Sequence, residues 1–376
     1  MRISVVGQGY VGTSISNAAL DAGHEVYGVE VNETRIEELV GSRYPVGSDF
    51  SVISSSEIVI VAVPTPLDGS RKPDLGFLKS ACESINKHIS SGTLLINEST
   101  SYPGTLRSFI APIFDKDLFF ASAPERVDPG NEKWGISNTP RIVAGLTPPA
   151  LEKAVRFYRS ICDEVEEVSS PEVAEAAKLF ENTFRQVNIA LVNEFAQIAS
   201  SLGISTHETL SAASTKPFGF MPFLPGIGVG GHCIPVDPSY LSYVADQAGM
   251  DARFIKLANE VNLGMPSYIA RRIDEEFGVT GKEIQVAGIA YKAGVADTRE
   301  SPALALISKL RSMGGIVTWS DSYVGQLGKE FSTDISKVDI GIIATAHPGV
   351  DYGPWRNGTV VIDVSTGKDL GWPKYL

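Results

Sequence analysis

Short apolar runs alternate with longer amphipathic segments over the first 168 residues of the chain. The stretch ISVVGQGYVGTSISNAALDAGHEVYGVEV has the pattern of a strand, a tight glycine turn, a helix and a second strand. Two further β-rich runs, EIVIVAVP and TLLINEST, are separated by helix-like sequence such as LGFLKSACESINKHI. Because strands alternate with helices, the pattern predicts a parallel, doubly wound sheet. We therefore expect residues 1–168 to form one domain.

The longest helical pattern in the chain follows this first domain. It covers residues 171–202, where Pro171 suits the first helical turn and Gly203 is a good C-terminal stop. Further helical sequence comes after it, including SYLSYVADQAG and ARFIKLANEVN. We expect residues 169–280 to form a helical middle domain with one long central helix.

Alternation of strands and helices returns from Glu283 onwards. The run EIQVAGIAYK is followed by a helical segment, SPALALISKLRSMG, and then by three strand-like runs, GIVTWSD, DIGIIATA and TVVIDVS. This pattern predicts a second, smaller α/β domain over residues 281–376. The expected fold class is α/β, with two Rossmann-like parallel-sheet domains joined by the helical middle domain.

Charge and cysteine content narrow the classes of partner and compartment. The formal net charge of −12 argues against a nucleic-acid or anionic-membrane partner. No apolar run is long enough to predict a membrane-spanning helix, and MRISVVGQGY lacks the apolar stretch of a signal peptide. Cys82, Cys162 and Cys233 are far apart and lack zinc-ligand spacing. We therefore expect free thiols in the cytoplasm and no bound metal.

The glycine turn after the first predicted strand has the spacing of a dinucleotide-binding motif. In GQGYVG, Gly7 permits the tight turn, Gly9 lets a pyrophosphate approach the backbone, and Gly12 allows close helix–strand packing. The helix N-terminus supplies backbone donors and partial positive charge. A glycine turn that only closes the sheet is the alternative interpretation.

The end of the second predicted strand indicates which dinucleotide would bind. Glu30 would accept hydrogen bonds from the adenosine ribose hydroxyls and repel a 2′-phosphate, which favours NAD over NADP. Arg35 lies nearby and weakens this preference. Short-chain sugar epimerases also use such domains, but the sequence has no Tyr-x-x-x-Lys pair.

One of the cysteines lies in the glycine-rich stretch GVGGHCIPVDP. Its three glycines would give the backbone around Cys233 freedom and steric access, and His232 and Asp237 bring ionisable groups close in sequence. An accessible loop thiol suits a nucleophile, but a structural turn with an incidental cysteine explains the pattern equally well. Cys82 and Cys162 lie in helix-like sequence with apolar neighbours, which predicts buried core positions.

The long predicted helix carries Lys178, Asn182 and Arg185 on one stripe, at i, i+4 and i+7. A Lys–Asn pair could donate hydrogen bonds to a developing oxyanion. A solvated face is the alternative, because Glu175, Gln186 and Asn193 lie on the same side.

Five motifs together resemble the UDP-glucose/GDP-mannose dehydrogenase family of nucleotide-sugar 6-dehydrogenases. They are GVGGHCIPVDP, KLFENTFRQVNIALVNE, VAVPTP, PERVDPGN and AYKAGVADTRESPA, and they cover nearly the whole chain in the family's order. Within the family, PERVDPGN and TKPFGF…PGIGVGGHCIP look most like the enzymes that act on UDP-N-acetylglucosamine.

The resemblance implies a four-electron oxidation of the C6 hydroxyl of a UDP-sugar to a uronic acid, in a route that serves polysaccharide biosynthesis. One oxidation gives an aldehyde, Cys233 adds to it as a thiohemiacetal, a second oxidation leaves a thioester, and water releases the acid. The resemblance implies Cys233 as the nucleophile, and Lys178 and Asn182 as the residues that stabilise the oxyanion. Asp237 would orient or activate water. Glu125 would be the base for hydrolysis, and Thr100 would position the water.

The resemblance also implies ligand contacts and an oligomer. The cofactor is NAD, with contacts from Gly7, Gly9, Tyr10, Val11, Gly12, Glu30, Arg35, Pro64, Thr65, Ser99 and Arg299. The substrate contacts are Arg126, Arg185, Phe220, Phe223, Gly226, Gly228, His232 and Lys292. The partner is a UDP-sugar, and a homodimer or higher homo-oligomer would form through the long helix.

One segment departs from the family pattern. Family members carry a longer helical insertion where this chain has only residues 44–57. The resemblance therefore does not extend to the rim on the adenosine side of the NAD site. Two other functions remain as alternatives. A two-electron hydroxy-acid dehydrogenase would have no use for the Cys233 thiol. A nucleotide-sugar sensor without catalysis would not need Lys178, Asn182 and Asp237 together with it.

Overall fold

The computed structural model describes residues 1–128, 131, 133–367 and 369–376, so Pro129 and Gly130 of the PERVDPGN motif lie outside the described residues. The chain folds into two compact units. Unit 1 contains residues 1–181 and 239–251, and unit 2 contains residues 182–238 and 252–376. The predicted α/β fold class with parallel sheets and one long helix is confirmed. The two predicted domain boundaries, after residues 168 and 280, stay a prediction.

Unit 1 is built around an eight-stranded sheet in the order β3-β2-β1-β4-β5-β6-β7-β8. The strands are β1 Arg2–Val6, β2 Glu25–Val29, β3 Val46–Gly47, β4 Ile58–Val61, β5 Leu94–Asn97, β6 Phe119–Ser122, β7 Arg141–Gly145 and β8 Val165–Glu167. All neighbouring pairs are parallel except β6 and β7. The helices of this part of the chain are α1 Tyr10–Asp21, α2 Glu33–Glu38, α3 Gly76–Asn86 and α4 Pro148–Tyr158.

The core of unit 1 explains why its central strands are continuously apolar. Ile3, Val5, Ile60 and Ile96 are fully buried, and α1 contributes Ile15 to the same cluster. Parallel strands covered on both faces need such runs. The strand order reverses between β1 and β4, and the carboxyl ends of strands at such a point form the usual ligand crevice. The edge formed by β1, β4, β5 and β6 is therefore where a site is expected.

The long helix α5, Pro171–Leu202, has 32 residues and begins and ends where the sequence predicted. Pro171 occupies its first turn, and Gly203 follows with a φ of +67°, which suits a helix stop. Its first residues belong to unit 1 and the rest, from Asn182, belong to unit 2. One continuous helix thus carries candidate residues in both units.

Unit 2 contains a four-stranded parallel sheet in the order β10-β9-β13-β14 and a small hairpin. The strands are β9 Glu283–Ala287, β10 Ile316–Ser320, β11 Gln326–Leu327, β12 Glu330–Phe331, β13 Ile340–Ile343 and β14 Val360–Asp363. The remaining helices of the chain are α6 Thr206–Ser214, α7 Asp237–Gln247, α8 Arg253–Phe277 and α9 Pro302–Ser312. From Ser239 onwards, α7 belongs to unit 1. Ile269, Ile273, Val286, Leu306 and Ile342 form the centre of its core.

The described part of the chain contains neither a membrane-spanning helix nor a cluster of metal-ligand side chains. None of its helices combines the length and the apolar character that crossing a membrane requires. In those same residue ranges, His, Cys, Asp and Glu side chains do not gather in threes around a possible metal position.

Candidate active site

The glycine turn of unit 1 fits a dinucleotide. Gly7 has a φ of +91°, and a Cβ there would lie 2.4 Å from the carbonyl oxygen of Ala62. A Cβ on Gly12 would lie 1.8 Å from the Gly7 carbonyl oxygen, so both positions require glycine for packing. A Cβ on Gly9 would meet no described atom within 4 Å. Gly9 is also the N-cap of α1, and no side chain of the described residues caps that end, which leaves an open surface with backbone donors.

Glu30 and Arg35 are both bound to this turn. Glu30 Oε2 accepts the backbone N–H of Gln8 at 2.8 Å, and Glu30 Oε1 accepts the backbone N–H groups of Val31 and Asn32. Arg35 Nε donates to the Gln8 carbonyl at 2.8 Å, and its Nη1 donates to Glu38. The acidic group therefore stands beside the phosphate-binding turn, as NAD sites require, while the Arg35 guanidinium is engaged locally.

The next two strand ends along this edge hold the other predicted cofactor residues of unit 1. Ser99 follows β5, and its hydroxyl accepts the Val63 N–H at 2.9 Å, which joins the loop after β4 to the loop after β5. Thr65 is buried, and its carbonyl accepts the Tyr240 hydroxyl at 2.9 Å. Pro64, between these anchored positions, is exposed. The loop is therefore held at two points and presents Pro64 to solvent.

Glu125 lies in the loop after β6, at the same edge of the sheet, and is buried. Its carboxylate accepts the backbone N–H of Val127. Burial, and then the neighbouring carboxylates of Glu125 and Asp128, raise the pKa of the Tyr10 hydroxyl. This effect places Tyr10 of the glycine turn within electrostatic range of the predicted base. Val11 and Thr100 are half-buried.

Arg126 is held by α5. Its Nη2 and Nε donate to Glu181 at 2.7 and 3.2 Å, and its Nη1 donates to the Pro140 carbonyl at 2.7 Å. A bidentate Arg–carboxylate pair fixes the guanidinium plane. The sequence predicted Arg126 as a substrate contact but missed Glu181, although Glu181 stands directly before Asn182 on the helix.

The polar stripe of α5 is buried, and the solvated-face alternative is wrong. Glu175, Gln186 and Asn193 are each no more than 1% exposed. Glu175 accepts the backbone N–H groups of Gly104 at 2.7 Å and Leu106 at 3.0 Å. Periodicity gives a solvated stripe and a buried polar stripe the same spacing, so the sequence pattern did not separate them.

The proposed catalytic members of the stripe are also buried. Lys178 is 6% exposed and Asn182 is 8% exposed, whereas Arg185 lies at the surface. Asn182 Nδ2 donates to Asp237 Oδ2 at 2.6 Å, and Asp237 is fully buried at the start of α7. This hydrogen bond brings together two residues that the sequence assigned to one reaction.

Cys233 differs from the other two cysteines. Cys82 and Cys162 are buried, as the sequence predicted, and burial raises the pKa of Cys82 to about 12. Cys233 carries a half-buried thiol. Its carbonyl accepts the backbone N–H groups of Val236 at 3.1 Å and Asp237 at 2.8 Å, so it lies in the turn that leads into α7.

The glycines before Cys233 pack closely against another segment, so the space beside their own Cα atoms is occupied. A Cβ on Gly230 would lie 2.7 Å from Tyr291 Cβ, and one on Gly231 would lie 2.8 Å from the Tyr291 ring. Gly228 and Gly231 also have φ values of +128° and +89°. The loop therefore lies directly against the AYKAGVADTRESPA segment, and only glycine permits this approach.

That segment carries a charged pair beside the cysteine loop. Arg299 Nη2 donates to Asp297 Oδ2 at 2.6 Å, and the Arg299 carbonyl accepts the Gly231 N–H at 2.9 Å. The hydrogen bond that Arg299 donates to Asp297 raises the pKa of Arg299, burial opposes the shift, and the charge of Cys233 contributes to the rise. Arg299 is therefore a cation within electrostatic range of the thiol. His232, which directly precedes Cys233, and Lys292, which directly follows Tyr291, are both half-buried.

The segment before the cysteine loop carries the other predicted substrate contacts. Phe220 is exposed, and Phe223 meets Phe184 of α5 edge-on with ring centroids 6.0 Å apart. Gly226 is buried, and its N–H donates to Asn193 Oδ1 at 2.9 Å. The buried amide of Asn193 thus fixes this segment to α5.

The fold and these sites define a nucleotide-dependent oxidoreductase, and comparisons identify the family. Residues 40–162, 172–263 and 285–366 match the NAD binding, central and UDP binding domains of the UDP-glucose/GDP-mannose dehydrogenase family. Residues 2–67 also match a model for coenzyme F420-dependent NADP oxidoreductases. The chain belongs to the UDP-glucose/GDP-mannose dehydrogenase family and is an NAD-dependent nucleotide-sugar dehydrogenase.

Individual relatives agree with this assignment over nearly the whole chain. The chain is 35% identical to UDP-N-acetyl-D-glucosamine 6-dehydrogenase of Pseudomonas aeruginosa, covering 99% of this chain and 92% of the relative. It is 34% identical to UDP-N-acetyl-D-mannosamine dehydrogenase of Methanocaldococcus jannaschii, covering 86% and 79%. The solved UDP-D-ManNAc dehydrogenase of Pyrococcus horikoshii has a TM-score of 0.88 at 30% identity, with 100% and 97% covered. The predicted family, NAD cofactor and enzyme class are confirmed.

Proposed function

We propose that this enzyme oxidises the C6 hydroxyl of a UDP-N-acetylhexosamine, either UDP-N-acetylglucosamine or UDP-N-acetylmannosamine, to the uronic acid. The observation that carries the proposal is the half-buried Cys233 thiol in the turn before α7, with Asp237, the first residue of that helix, bound to Asn182. Relatives named for these two substrates support the choice of sugar. UDP-glucose is the alternative substrate for the same mechanism.

The first oxidation requires a developing alkoxide at C6 to be stabilised. Lys178 and Asn182 donate hydrogen bonds to that oxygen, and their burial strengthens the interaction. Asp237 orients the water that takes the hydroxyl proton. The glycine turn between Gly7 and Gly12 would hold NAD, which would supply the acceptor for the hydride that leaves C6.

The second oxidation uses Cys233 as nucleophile. Its thiolate adds to the aldehyde carbon and forms a thiohemiacetal, whose oxygen again lies with Lys178 and Asn182. Loss of a second hydride from C6, for which a second NAD⁺ would be the acceptor, converts the thiohemiacetal to a thioester. The nearby Arg299 cation favours the thiolate that starts this step.

Hydrolysis completes the reaction. Thr100 positions a water, and Glu125 takes one of its protons as the oxygen bonds to the thioester carbon. The C–S bond then breaks, Cys233 leaves as the thiolate, and the uronic acid is released. Burial of Glu125 limits competing hydrogen bonds from bulk water.

Substrate recognition is assigned to a further set of residues. Arg126, Arg185 and His232 contact the sugar and its developing carboxylate. Lys292 contacts the UDP moiety, and Arg299 lies near the cofactor or the diphosphate. Phe220, Phe223, Gly226 and Gly228 line the segment that wraps the sugar and diphosphate.

A stoichiometric assay tests the proposal. The protein is incubated with NAD⁺ and, separately, with UDP-glucose, UDP-N-acetylglucosamine, UDP-N-acetylmannosamine and UDP-galactose, and NADH formed per sugar consumed is counted. About two NADH per sugar is expected, because an alcohol carbon becomes a carboxylate. One NADH per sugar supports a two-electron dehydrogenase instead, and binding without NADH supports a sensor.

A cysteine variant separates the mechanism from the overall activity. Cys233→Ala is expected to lose uronic-acid formation, while Cys82→Ala, a buried cysteine far from both loops in sequence, is expected to keep it. Normal acid production by Cys233→Ala contradicts the thioester route but leaves the substrate assignment standing.

Assembly and compartment complete the proposal. We infer a homodimer or higher homo-oligomer through α5, because this helix exposes Phe180, Leu191, Ile198 and Leu202 while burying polar residues. The domain boundaries remain 1–168, 169–280 and 281–376. All three cysteines are thiols, which is compatible with a reducing compartment such as the cytoplasm.

A further inference from the structure

Three buried polar side chains lie beneath the strand ends that carry Thr100 and Glu125. Glu98 directly follows β5, Arg141 is the first residue of β7, and Tyr158 is the last residue of α4. Each of the three is no more than 2% exposed. A buried charged group needs a specific reason to be there, because its desolvation is costly.

Arg141 joins two neighbouring strand ends. Its Nη1 lies 3.3 Å from Glu98 Oε2, 3.4 Å from the Ala123 carbonyl oxygen and 3.5 Å from the Pro124 carbonyl oxygen. Ala123 and Pro124 lead directly into Glu125. One guanidinium nitrogen thus bridges the carboxylate after β5 and the two carbonyls before Glu125.

Tyr158 fixes the acidic end of this arrangement. Its hydroxyl donates to Glu98 Oε1, and the Arg141 guanidinium carbon lies 5.3 Å from the centre of the Tyr158 ring. Both oxygens of Glu98 are therefore engaged. Rotation of the Glu98 carboxylate is restricted, and the direction of the Arg141 side chain follows from it.

The backbone register places this cluster under both proposed water-handling residues. β5 and β6 are parallel, and Asn97 is paired with Ser122. Glu98 therefore lies two residues before Thr100 on one strand end, and Ala123 lies two residues before Glu125 on the adjacent one. A shift of Arg141 would move both loops together.

Arg141 also acts through its charge. Burial alone would lower the pKa of Arg141, but the carboxylate of Glu98, and further groups that include Tyr158 and Glu125, raise it overall. The guanidinium is therefore a permanent buried cation within electrostatic range of Glu125. A nearby cation favours the ionised carboxylate that a base requires.

We propose that Arg141, fixed by Glu98 and Tyr158, is a positioning residue that aligns Glu125 and Thr100 for thioester hydrolysis. This inference rests on the proposed function. In the step concerned, a water oxygen bonds to the thioester carbon, Glu125 takes the water proton, and the C–S bond breaks to release the Cys233 thiolate. Neither oxidation uses Glu125, so the network affects hydrolysis selectively.

The test separates oxidation from hydrolysis in a single enzyme. Arg141→Met keeps much of the volume of the side chain and removes the charge, and Arg141→Lys restores the charge. Tyr158→Phe removes one hydroxyl and provides a milder variant should Arg141→Met fail to fold. Arg159→Gln is the matched control, because Arg159 follows Tyr158 directly and forms an exposed pair with Glu167.

Rapid mixing with UDP-N-acetylglucosamine or UDP-N-acetylmannosamine and NAD⁺ gives the NADH burst, and mass spectrometry of the quenched protein gives the adduct on Cys233. Arg141→Met is expected to keep a burst near two NADH per site and to slow the following turnover roughly 10- to 100-fold, with adduct accumulating. Tyr158→Phe shows the same pattern more weakly, and Arg141→Lys recovers part of the rate.

Three outcomes would count against the inference. Wild-type hydrolysis rates in folded Arg141→Met or Tyr158→Phe overturn it. Equal slowing of the burst and of hydrolysis assigns the network to structure alone and also overturns it. Adduct that forms in the wild type but never accumulates in the variants overturns the role of Arg141. A fourth outcome concerns the proposed function instead: a wild-type protein that turns over without any Cys233 adduct overturns the thioester mechanism itself.

Discussion

The side-chain amide of Asn182 donates a hydrogen bond to Asp237 Oδ2 at 2.6 Å, and both residues are buried. The contact ties the long helix to the first residue of α7, four positions after Cys233. An acceptor as strong as a carboxylate orients the Asn182 amide, since the donor must point at Asp237. The geometry of the cysteine turn thus depends on a residue in α5.

Asn182→Ala is expected to lower kcat about 100-fold, because it removes an oxyanion donor and releases Asp237. It also leaves a buried carboxylate with fewer hydrogen bonds, at a cost of about 1–3 kcal/mol in unfolding free energy. Steady-state NADH formation and urea denaturation measure the two effects. Asn188→Ala is the control, because Asn188 lies on the same helix, is not part of the buried stripe, and bonds the carbonyl of Phe184. Full kcat in Asn182→Ala would exclude the proposed oxyanion role.

Gly231→Ala is expected to destabilise the protein more than Gly281→Ala. Both glycines have positive φ, at +89° and +75°, so each alanine carries a backbone penalty of about 1 kcal/mol. At Gly231 the new Cβ would also approach the Tyr291 ring, at 2.8 Å, whereas at Gly281 it would meet no described atom within 4 Å. Thermal denaturation of the two variants gives the comparison. Equal losses would show that the loop adapts and that packing against Tyr291 does not require glycine.

The buried carboxyl of Glu175 predicts a pH dependence of stability. Burial raises the pKa of Glu175 to about 7, although the N–H groups of Leu106 and Gly104 oppose the shift. Because the folded-state pKa lies above the unfolded value, the folded state binds the extra proton between about pH 4.5 and pH 7. The stabilising contribution of this proton is present at low pH and is lost as the pH rises through about 7, by about 3 kcal/mol.

Glu175→Gln removes this titration. The unfolding free energy of the variant minus that of the wild type is therefore expected to increase between about pH 5 and about pH 8, as measured by urea denaturation. Glu172→Gln is the control, because the Arg107 hydrogen bond lowers the pKa of Glu172 to about 2, so this carboxylate does not titrate in that window. A Glu175→Gln difference that is flat with pH would contradict the assignment.

Leu191→Glu is expected to dissociate the proposed oligomer. Leu191 is 63% exposed in the single chain, and a carboxylate buried in an apolar interface would be strongly disfavoured. Sedimentation velocity compares the variant with wild type. Val31→Glu, at a comparably exposed apolar position after β2, is the control and is expected to keep the wild-type mass. An unchanged mass for Leu191→Glu would place the interface elsewhere or leave a monomer.

Local signals in the sequence determined a large part of the fold and of the nucleotide site. The bounds of α5 follow from Pro171 and Gly203, since each acts on the backbone within one turn. Gly12 is equally local, because a Cβ there would meet the Gly7 carbonyl oxygen five residues earlier, whereas the close contact at Gly7 is with Ala62, which follows β4. Cys233 was separable from Cys82 and Cys162 by its glycine-rich surroundings alone.

Contacts between distant segments decided the rest. Helical periodicity does not show whether a polar stripe is solvated or buried. Glu175 is buried because the backbone N–H groups of Gly104 and Leu106, from a segment distant in sequence, bind its carboxylate. The glycines before Cys233 suggested open space, whereas Tyr291, from a segment far along the chain, occupies it.

The buried link from Arg141 to Glu98 depends on strand order in the same way. It exists because β6 pairs in parallel with β5 and in antiparallel with β7, which brings the first residue of β7 to their carboxyl ends. The sequence alone supplied the candidate residues for the chemistry and the local glycine turn whose backbone suits a dinucleotide. Only the tertiary structure decided which polar side chains are buried, since burial and pairing depend on segments that meet from far apart in the chain.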